Sequence, residues 1–318
     1  MKQPDFWHQD NSFLGKVLYP FGIVYEKIVA YRLNHNKPYK PEVPVVCVGN
    51  ICVGGTGKTP LSLSLADYFI KQGKNVFFLN HGYKSKLQNI VVDLSVHNAS
   101  DVSDEAMIFA SKLPTVINKD RAKGAQKASN LGADIIIMDD GFQNPTVYKS
   151  LSFVVFDGKK GVGNSLCMPA GPLRESLKQG LKRADAAVIV GADMTGLKEK
   201  INKIYPNLPV LFGHVEPSID LKNLKGIAFA GIGYPEKFFS MLEKYGVQIS
   251  QKISFPDHYA YKRSDIEKLL EYKQPLLTTM KDAVKIDADL RAKLTIVDID
   301  FIWDDIPSWE KVINGTIK

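Results

Sequence analysis

A glycine-rich turn runs into a lysine and a threonine in "GNICVGGTGKTP", residues 49 to 60. In a phosphate-binding loop, backbone N–H groups cradle phosphate at a helix N-terminus, a lysine reaches the β- and γ-phosphates, and the next hydroxyl holds Mg2+. Gly54, Gly55, Thr56 and Gly57 provide the turn, Lys58 the charge and Thr59 the hydroxyl. The spacing departs from G-x-x-x-x-G-K-[ST], because Cys52 stands where the first glycine belongs. Cys52 is small and lies at the entrance of the loop, away from its tight turn. A glycine-rich β–α turn with no ligand is the plainer alternative.

A Mg2+–nucleotide site also wants a hard oxygen ligand at the end of a neighbouring buried strand. "DIIIMDDGFQN" (134 to 144) offers Asp139 and Asp140 there. "NKDR" (118 to 121) begins like the guanine-reading N-K-x-D but has Arg121 in place of the aspartate, so GTP specificity loses its support. Three more stretches carry ionisable residues. "SDEA" (103 to 106) sets Asp104 and Glu105 at a helix start, "GVGNSLCMPAGPLRES" (161 to 176) ends in Arg174-Glu175, and "FPDHYAY" (255 to 261) holds Asp257-His258. Each has a structural alternative: an N-cap for Asp104, a surface pair for Arg174 and Glu175, a satisfied loop histidine for His258.

The elements that must position these residues follow from periodicity. "VPVVCVGN" (43 to 50) reads as a β-strand entering the loop, and "KTPLSLSLADYFIKQG" (58 to 73) as the helix leaving it, with Pro60 tolerated in its first turn. Strands at 75–80, 115–117, 134–138, 151–157 and 185–190 alternate with helices at 104–113 and 120–132. This alternation predicts an α/β fold, a P-loop NTPase-like parallel sheet flanked by helices. After Pro206 and Pro209 the pattern restarts with strands at 226–231 and 275–279, so a second, smaller α/β domain is expected. The expected division is 1–40, 41–215 and 216–318.

Residues 1–40 carry six Lys/Arg against three Asp/Glu, and from Phe21 the apolar Val24, Tyr25, Ile28 and Tyr31 fall at helical spacing. The longest uncharged run there, Val17 to Tyr25, is too short to span a bilayer. Two readings stand: an amphipathic helix at a membrane interface, or a helix docked on its own domain. The net charge of +7 (41 Lys+Arg against 34 Asp+Glu) fits an anionic partner. Nucleic acid is disfavoured, since the basic residues form no stripe interleaved with aromatics. Three cysteines, Cys47, Cys52 and Cys167, make neither a disulfide framework nor a zinc set.

Together and in this order, the motifs resemble the tetraacyldisaccharide 4′-kinase family of lipid A biosynthesis. The resemblance spans nearly the whole chain: the aromatic N-terminal segment, "VGNICVGGTGKTP", "HGY" (81 to 83), "SDEA", "DDGFQ" (139 to 143), "PAGPLRE" (169 to 175), "GIGYPEKFF" (231 to 239), "DHY" (257 to 259) and "TTMKDAVK" (278 to 285). The family's loop also has a small residue other than glycine at the place of Cys52. The resemblance implies transfer of the γ-phosphoryl of ATP, with Mg2+, to the 4′-hydroxyl of a tetraacylated glucosamine disaccharide 1-phosphate, giving lipid IVA. It implies a peripheral or monotopic enzyme on the cytoplasmic leaflet of the inner membrane, with an N-terminal membrane-interface helix.

By the same resemblance, Asp104 assisted by His258 acts on the acceptor hydroxyl, and Lys58 and Asp140 belong to the catalytic set. Thr59, Glu105 and Asp139 form the metal site, while Gln143, Arg174 and Glu175 line the acceptor or active-site face. Four positions depart from the family's pattern: His81 for arginine, Ala106 for proline, Asn144 for histidine and Met280 for glutamate. A soluble P-loop kinase or ATPase of a small anionic metabolite is the alternative reading. Oligomeric state is not legible.

Overall fold

β1 (Val45–Gly49) and β5 (Ile135–Asp139) are buried along their whole length, as parallel strands covered by helices on both faces must be. A computed structural model describes residues 3–83 and 85–317 of the chain. The other strands, in chain order, are β2 (Val76–Asn80), β3 (Ile90–Val91), β4 (Thr115–Ile117), β6 (Leu151–Asp157), β7 (Ala186–Val190), β8 (Val210–Pro217), β9 (Lys225–Ala230), β10 (Gln248–Ser254), β11 (Leu276–Thr279), β12 (Thr295–Val297) and β13 (Ile299–Trp303). Nine form one sheet, ordered β13-β8-β7-β6-β1-β5-β2-β4-β3, and four form a second, ordered β10-β9-β11-β12.

Within the large sheet, β1 lies parallel between β5 and β6, with Val48 opposite Asp139. That register brings the end of β1, where the glycine loop starts, alongside the end of β5, where the two aspartates stand. Ligands of open α/β sheets bind at such carboxyl ends. The helix Lys58–Lys71 buries Leu61, Leu65, Ala66 and Phe69 against the sheet, which fixes the loop from its other side.

Two sheets fit the expected α/β fold with a second, smaller α/β unit, and the boundary expected at 215/216 lies close to the passage between them. That point falls inside β8, and the chain's end returns to the first sheet: β13 pairs antiparallel with β8, Trp303 opposite Gly213. Trp303 then stacks on Trp309 at 4.8 Å, and Trp309 meets Tyr68 of the loop-bearing helix edge-on at 4.6 Å. The physical reason is cover. β8 would otherwise be an unpaired edge, and the apolar face of Lys58–Lys71 needs the partners that Trp309 and Ile313 of the last helix, Ile306–Thr316, provide.

The N-terminal helix runs over Phe13–Asn34, starting earlier than the periodicity suggested and passing through Pro20. Gly15, Gly22 and Val29, seven residues apart, are its buried positions. Gly15 and Gly22 dock on the 164–170 loop so closely that a Cβ on Gly22 would lie 2.8 Å from the Cys167 carbonyl oxygen. The other side exposes Leu14, Val17, Phe21, Val24, Ile28 and Tyr31, an alternating three- and four-residue spacing that makes one continuous apolar stripe. One face of the helix is therefore docked on its own domain, and the other is an exposed apolar stripe. Among the described residues no helix is long and apolar enough to cross a membrane.

Candidate active site

Gly57 caps the helix Lys58–Lys71 in the left-handed conformation, φ +87°. A side chain there would be strained and its Cβ would press on Val190 at 3.3 Å. Asn50, fully buried, donates from Nδ2 to the Gly54 carbonyl at 3.4 Å and to Thr56 Oγ1 at 3.2 Å, which sets the curve of the loop. Cys52 is buried beneath the loop, with its Sγ donating to the Gly161 carbonyl and its backbone bridging to Leu173. Burial pushes its thiol up to about 12, so Cys52 is a packing residue and no nucleophile.

Lys58 Nζ lies 3.6 Å from Asp140 Oδ1, and Arg174 Nη1 approaches the same carboxylate at 3.0 and 3.3 Å. The site walls push the pKa of Asp140 up, but Lys58, Arg174 and Arg121 outweigh them and hold it below the ordinary carboxylate range. Its neighbour goes the other way. Asp139 is 3% exposed, and burial, with Glu105 and Asp140 adding to it, raises its carboxyl to about 7 despite Lys58 and a 2.9 Å hydrogen bond from Ser62. Adjacent carboxylates separated in this way are fit for different tasks.

Gln143 ties this cluster to its supports. Its Nε2 donates to the Asn50 carbonyl at 2.7 Å and to Glu175 Oε1 at 2.9 Å, and its Oε1 accepts from Arg174 at 3.5 Å. Glu175, 2% exposed, is held from behind by Arg183, which also donates to the Phe142 carbonyl at 3.0 Å and lies over the Phe142 ring. Arg174 and Glu175 thus sit within one network rather than forming a surface pair. Arg121 is buried and donates to the carbonyls of Leu79 and Asp139 at 2.7 and 3.3 Å, while Asp120 caps its helix. The "NKDR" stretch is accordingly a structural pin.

From the other sheet comes His258, whose Nδ1 lies 3.0 Å from Asp104 Oδ2. Asp104 is 8% exposed in the first turn of the helix Asp104–Ala110. It is not the cap: Ser103 takes that place and accepts from the Ala106 N–H. The next carboxylate, Glu105, pairs with Lys281 of the other sheet's domain at 3.7 Å. Three residues of the site hold positive φ without being glycine: Ser103 at +77°, Asp140 at +47° and His258 at +58°. Such conformations cost roughly 1–3 kcal/mol each and gather where geometry serves function.

The departures also have places. Asn144 accepts from the N–H and hydroxyl of Thr146, both at 2.9 Å, in a tight turn. Met280 packs among Val102, Ala106 and Met107. Burial, with Arg121 and Lys119 nearby, lowers the pKa of His81, so it supplies no fixed charge at neutral pH. Asn50, Ser62 and Arg183 escaped the sequence reading. Asn50 follows its strand directly and could have been suspected; Ser62 and Arg183 act at long range and leave no local signal.

For a divalent ion the donor set fits. Among the described residues no three His, Cys, Asp or Glu side chains converge as a cage, and Mg2+ usually takes one or two carboxylates plus substrate phosphates. Asp139 is a buried carboxylate to which, among the described residues, Ser62 alone donates a side-chain hydrogen bond. It has spare acceptor capacity beside Lys58.

A glycine loop at a helix N-terminus, a lysine, and carboxylates on the adjoining parallel strand define a P-loop phosphoryl-transfer protein, here with a second domain reaching into its site. A family model described as tetraacyldisaccharide-1-P 4′-kinase (LpxK) matches residues 14–318. The tetraacyldisaccharide 4′-kinase of Paramagnetospirillum magneticum is 44% identical over 312 residues, covering 96% of this chain and 95% of that protein. That of Rhodospirillum rubrum is 38% identical over 326 residues, covering 100% and 98%. An LpxK from Aquifex aeolicus, whose crystal structure is described as an "apo" form in complex with ATP, superposes with a TM-score of 0.78 at 28% identity, covering 96% of this chain and 100% of that one. The chain belongs to the tetraacyldisaccharide-1-P 4′-kinase family.

Proposed function

We propose that this chain is an ATP-dependent kinase that phosphorylates the 4′-hydroxyl of tetraacyldisaccharide 1-phosphate, giving lipid IVA. One observation carries the mechanism: His258 from the second domain reaches Asp104 at 3.0 Å, on the helix whose next residue, Glu105, acts on the Asp139 beside Lys58 and Asp140.

The loop N–H groups of Gly54 to Thr59 and the Lys58 ammonium bind the β- and γ-phosphates. Thr59 and Asp139, with Glu105 nearby, would hold Mg2+, which when bound supplies charge neutralisation at the phosphates. Asp140 positions Lys58, and Arg174 with Gln143 and Glu175 faces the acceptor. Asp104 takes the proton of the 4′-hydroxyl as that oxygen bonds to the γ-phosphorus; the bond to the β,γ-bridging oxygen breaks and ADP leaves. His258 orients the Asp104 carboxylate. Because the pair spans two domains, it completes only when both are in place, which limits transfer to water.

The acceptor is a lipid, and the exposed stripe of the N-terminal helix suits the cytoplasmic leaflet of the inner membrane, with the exposed Lys16 and Lys27 on the same helix available to anionic headgroups. A soluble small-metabolite kinase would leave that stripe without a purpose. The test is incubation of the purified chain with γ-labelled ATP, Mg2+ and tetraacyldisaccharide 1-phosphate. Label appearing in the lipid supports the reading. ATP binding without any transfer to the lipid overturns it.

A further inference from the structure

We propose that Lys281 is a positioning residue: with Glu105 it forms the second point of a clamp that sets the second domain, and hence His258, against the helix carrying Asp104. The first turn of Asp104–Ala110 presents two consecutive carboxylates, and each meets a side chain from the other domain. Asp104 receives His258 at 3.0 Å, and Glu105 receives Lys281 at 3.7 Å.

The two side chains belong to one rigid unit. Lys281 lies on the short helix Met280–Ala283. Its neighbour Asp282 is fully buried and accepts from the Gly231 N–H at 3.1 Å, Thr279 Oγ1 at 2.8 Å and Lys285 Nζ at 2.7 Å. Gly231 in turn accepts the His258 N–H through its carbonyl at 3.1 Å. Asp282 therefore locks the Lys281 helix to the loop that presents His258. Movement of one is movement of both.

The surface between the domains is apolar just behind the clamp. Met280 and Val284 pack with Val102, Ala106 and Met107, the last two on the Asp104 helix. An apolar contact of this kind permits sliding, since it is non-directional. A charged pair at its rim fixes the register. As an isolated ion pair Glu105–Lys281 is half-exposed and worth little to stability, and its value lies in orientation. Glu105 also bears on Asp139, and Lys281 offsets that charge.

This inference rests on the kinase reading for its kinetic test only; amide hydrogen exchange tests it without any acceptor. Misplacement of reacting groups by about 1 Å can cost on the order of a hundredfold. Lys281→Met is expected to lower kcat about tenfold to a hundredfold on that scale, leaving KM for ATP close to that of the parent. Lys281→Arg should retain most of the rate. In the ATP-bound chain, exchange at amides 104–110 should speed up in Lys281→Met and recover in Lys281→Arg. Parent-like kcat and exchange in Lys281→Met overturn the proposal. It is equally overturned if Glu105→Gln weakens Mn2+ binding to the ATP complex while exchange at 104–110 is unchanged, because Glu105 then serves the metal. If the parent chain transfers nothing to the lipid, the function reading fails and the exchange result still decides the clamp.

Discussion

Replacing Asp104 by Asn keeps the size of the side chain and the Ser103 cap while removing the charge and the proton acceptor. A positioned general base contributes about 10²- to 10⁴-fold, or roughly 3–5 kcal/mol of barrier at 1.36 kcal/mol per decade. Asp104→Asn should therefore lower kcat by about that factor. ATP affinity should persist, because the phosphate contacts come from the loop and Lys58. His258 acts through Asp104, across a 3.0 Å contact. A charge-assisted hydrogen bond is worth about 1.5–3 kcal/mol, so His258→Gln alone should cost roughly ten- to hundredfold. In the Asp104→Asn background the same change should cost almost nothing, since there is no carboxylate left to orient. The assay is a double-mutant cycle on initial rates with detergent-dispersed acceptor, alongside calorimetric ATP binding. Equal costs of His258→Gln in both backgrounds would refute the dyad, and so would an Asp104→Asn variant with parent-like turnover.

Gly57→Ala forces a side chain into φ +87° against Val190; at about 1–3 kcal/mol for such strain, ATP affinity measured by calorimetry should drop at least severalfold, and unchanged binding would count against the loop geometry. Asp139, raised from 3.8 to about 7, keeps a proton in the folded chain that the unfolded chain has lost. The stability this contributes is full below pH 3.8 and declines as pH rises through about 7. Without nucleotide or metal, melting curves of the parent minus Asp139→Asn should trace that decline, and a flat difference contradicts the assignment. Val17→Glu with Ile28→Glu should release the chain from anionic vesicles while sparing turnover on detergent-dispersed acceptor; retained flotation would argue against the stripe as a membrane face.

The loop and the Asp139–Asp140 strand end were legible because their chemistry is local: a few consecutive residues carry both the turn and the ligands. Asp104 and His258 were legible only through the company of other motifs, since a helix-start aspartate and a loop histidine are individually ambiguous. The cap position belongs to Ser103, and His258 meets Asp104 at 3.0 Å, a pairing across 154 residues that no local pattern announces. What could not be read depends on distant partners. β13 exists because β8 needs covering, and Trp303 and Trp309 find Tyr68 only in three dimensions. The N-terminal helix begins at Phe13 because Gly15 and Gly22 let it lie tightly on the 164–170 loop, a docking gain that overrides the Pro20 break. Met280 looked like a lost charge; packed with Met107, it is an apolar contact between domains.

The central claim is that Lys58, Asp140 and Asp104 act together to pass the γ-phosphoryl group to one particular hydroxyl. Phosphorus–proton correlation NMR on the lipid product measures this directly. The account predicts one new phosphomonoester, coupled to the proton at the 4′ carbon, formed by the parent chain and absent with Lys58→Ala. A phosphate at another position, or the same product from Lys58→Ala at the parent rate, would contradict it.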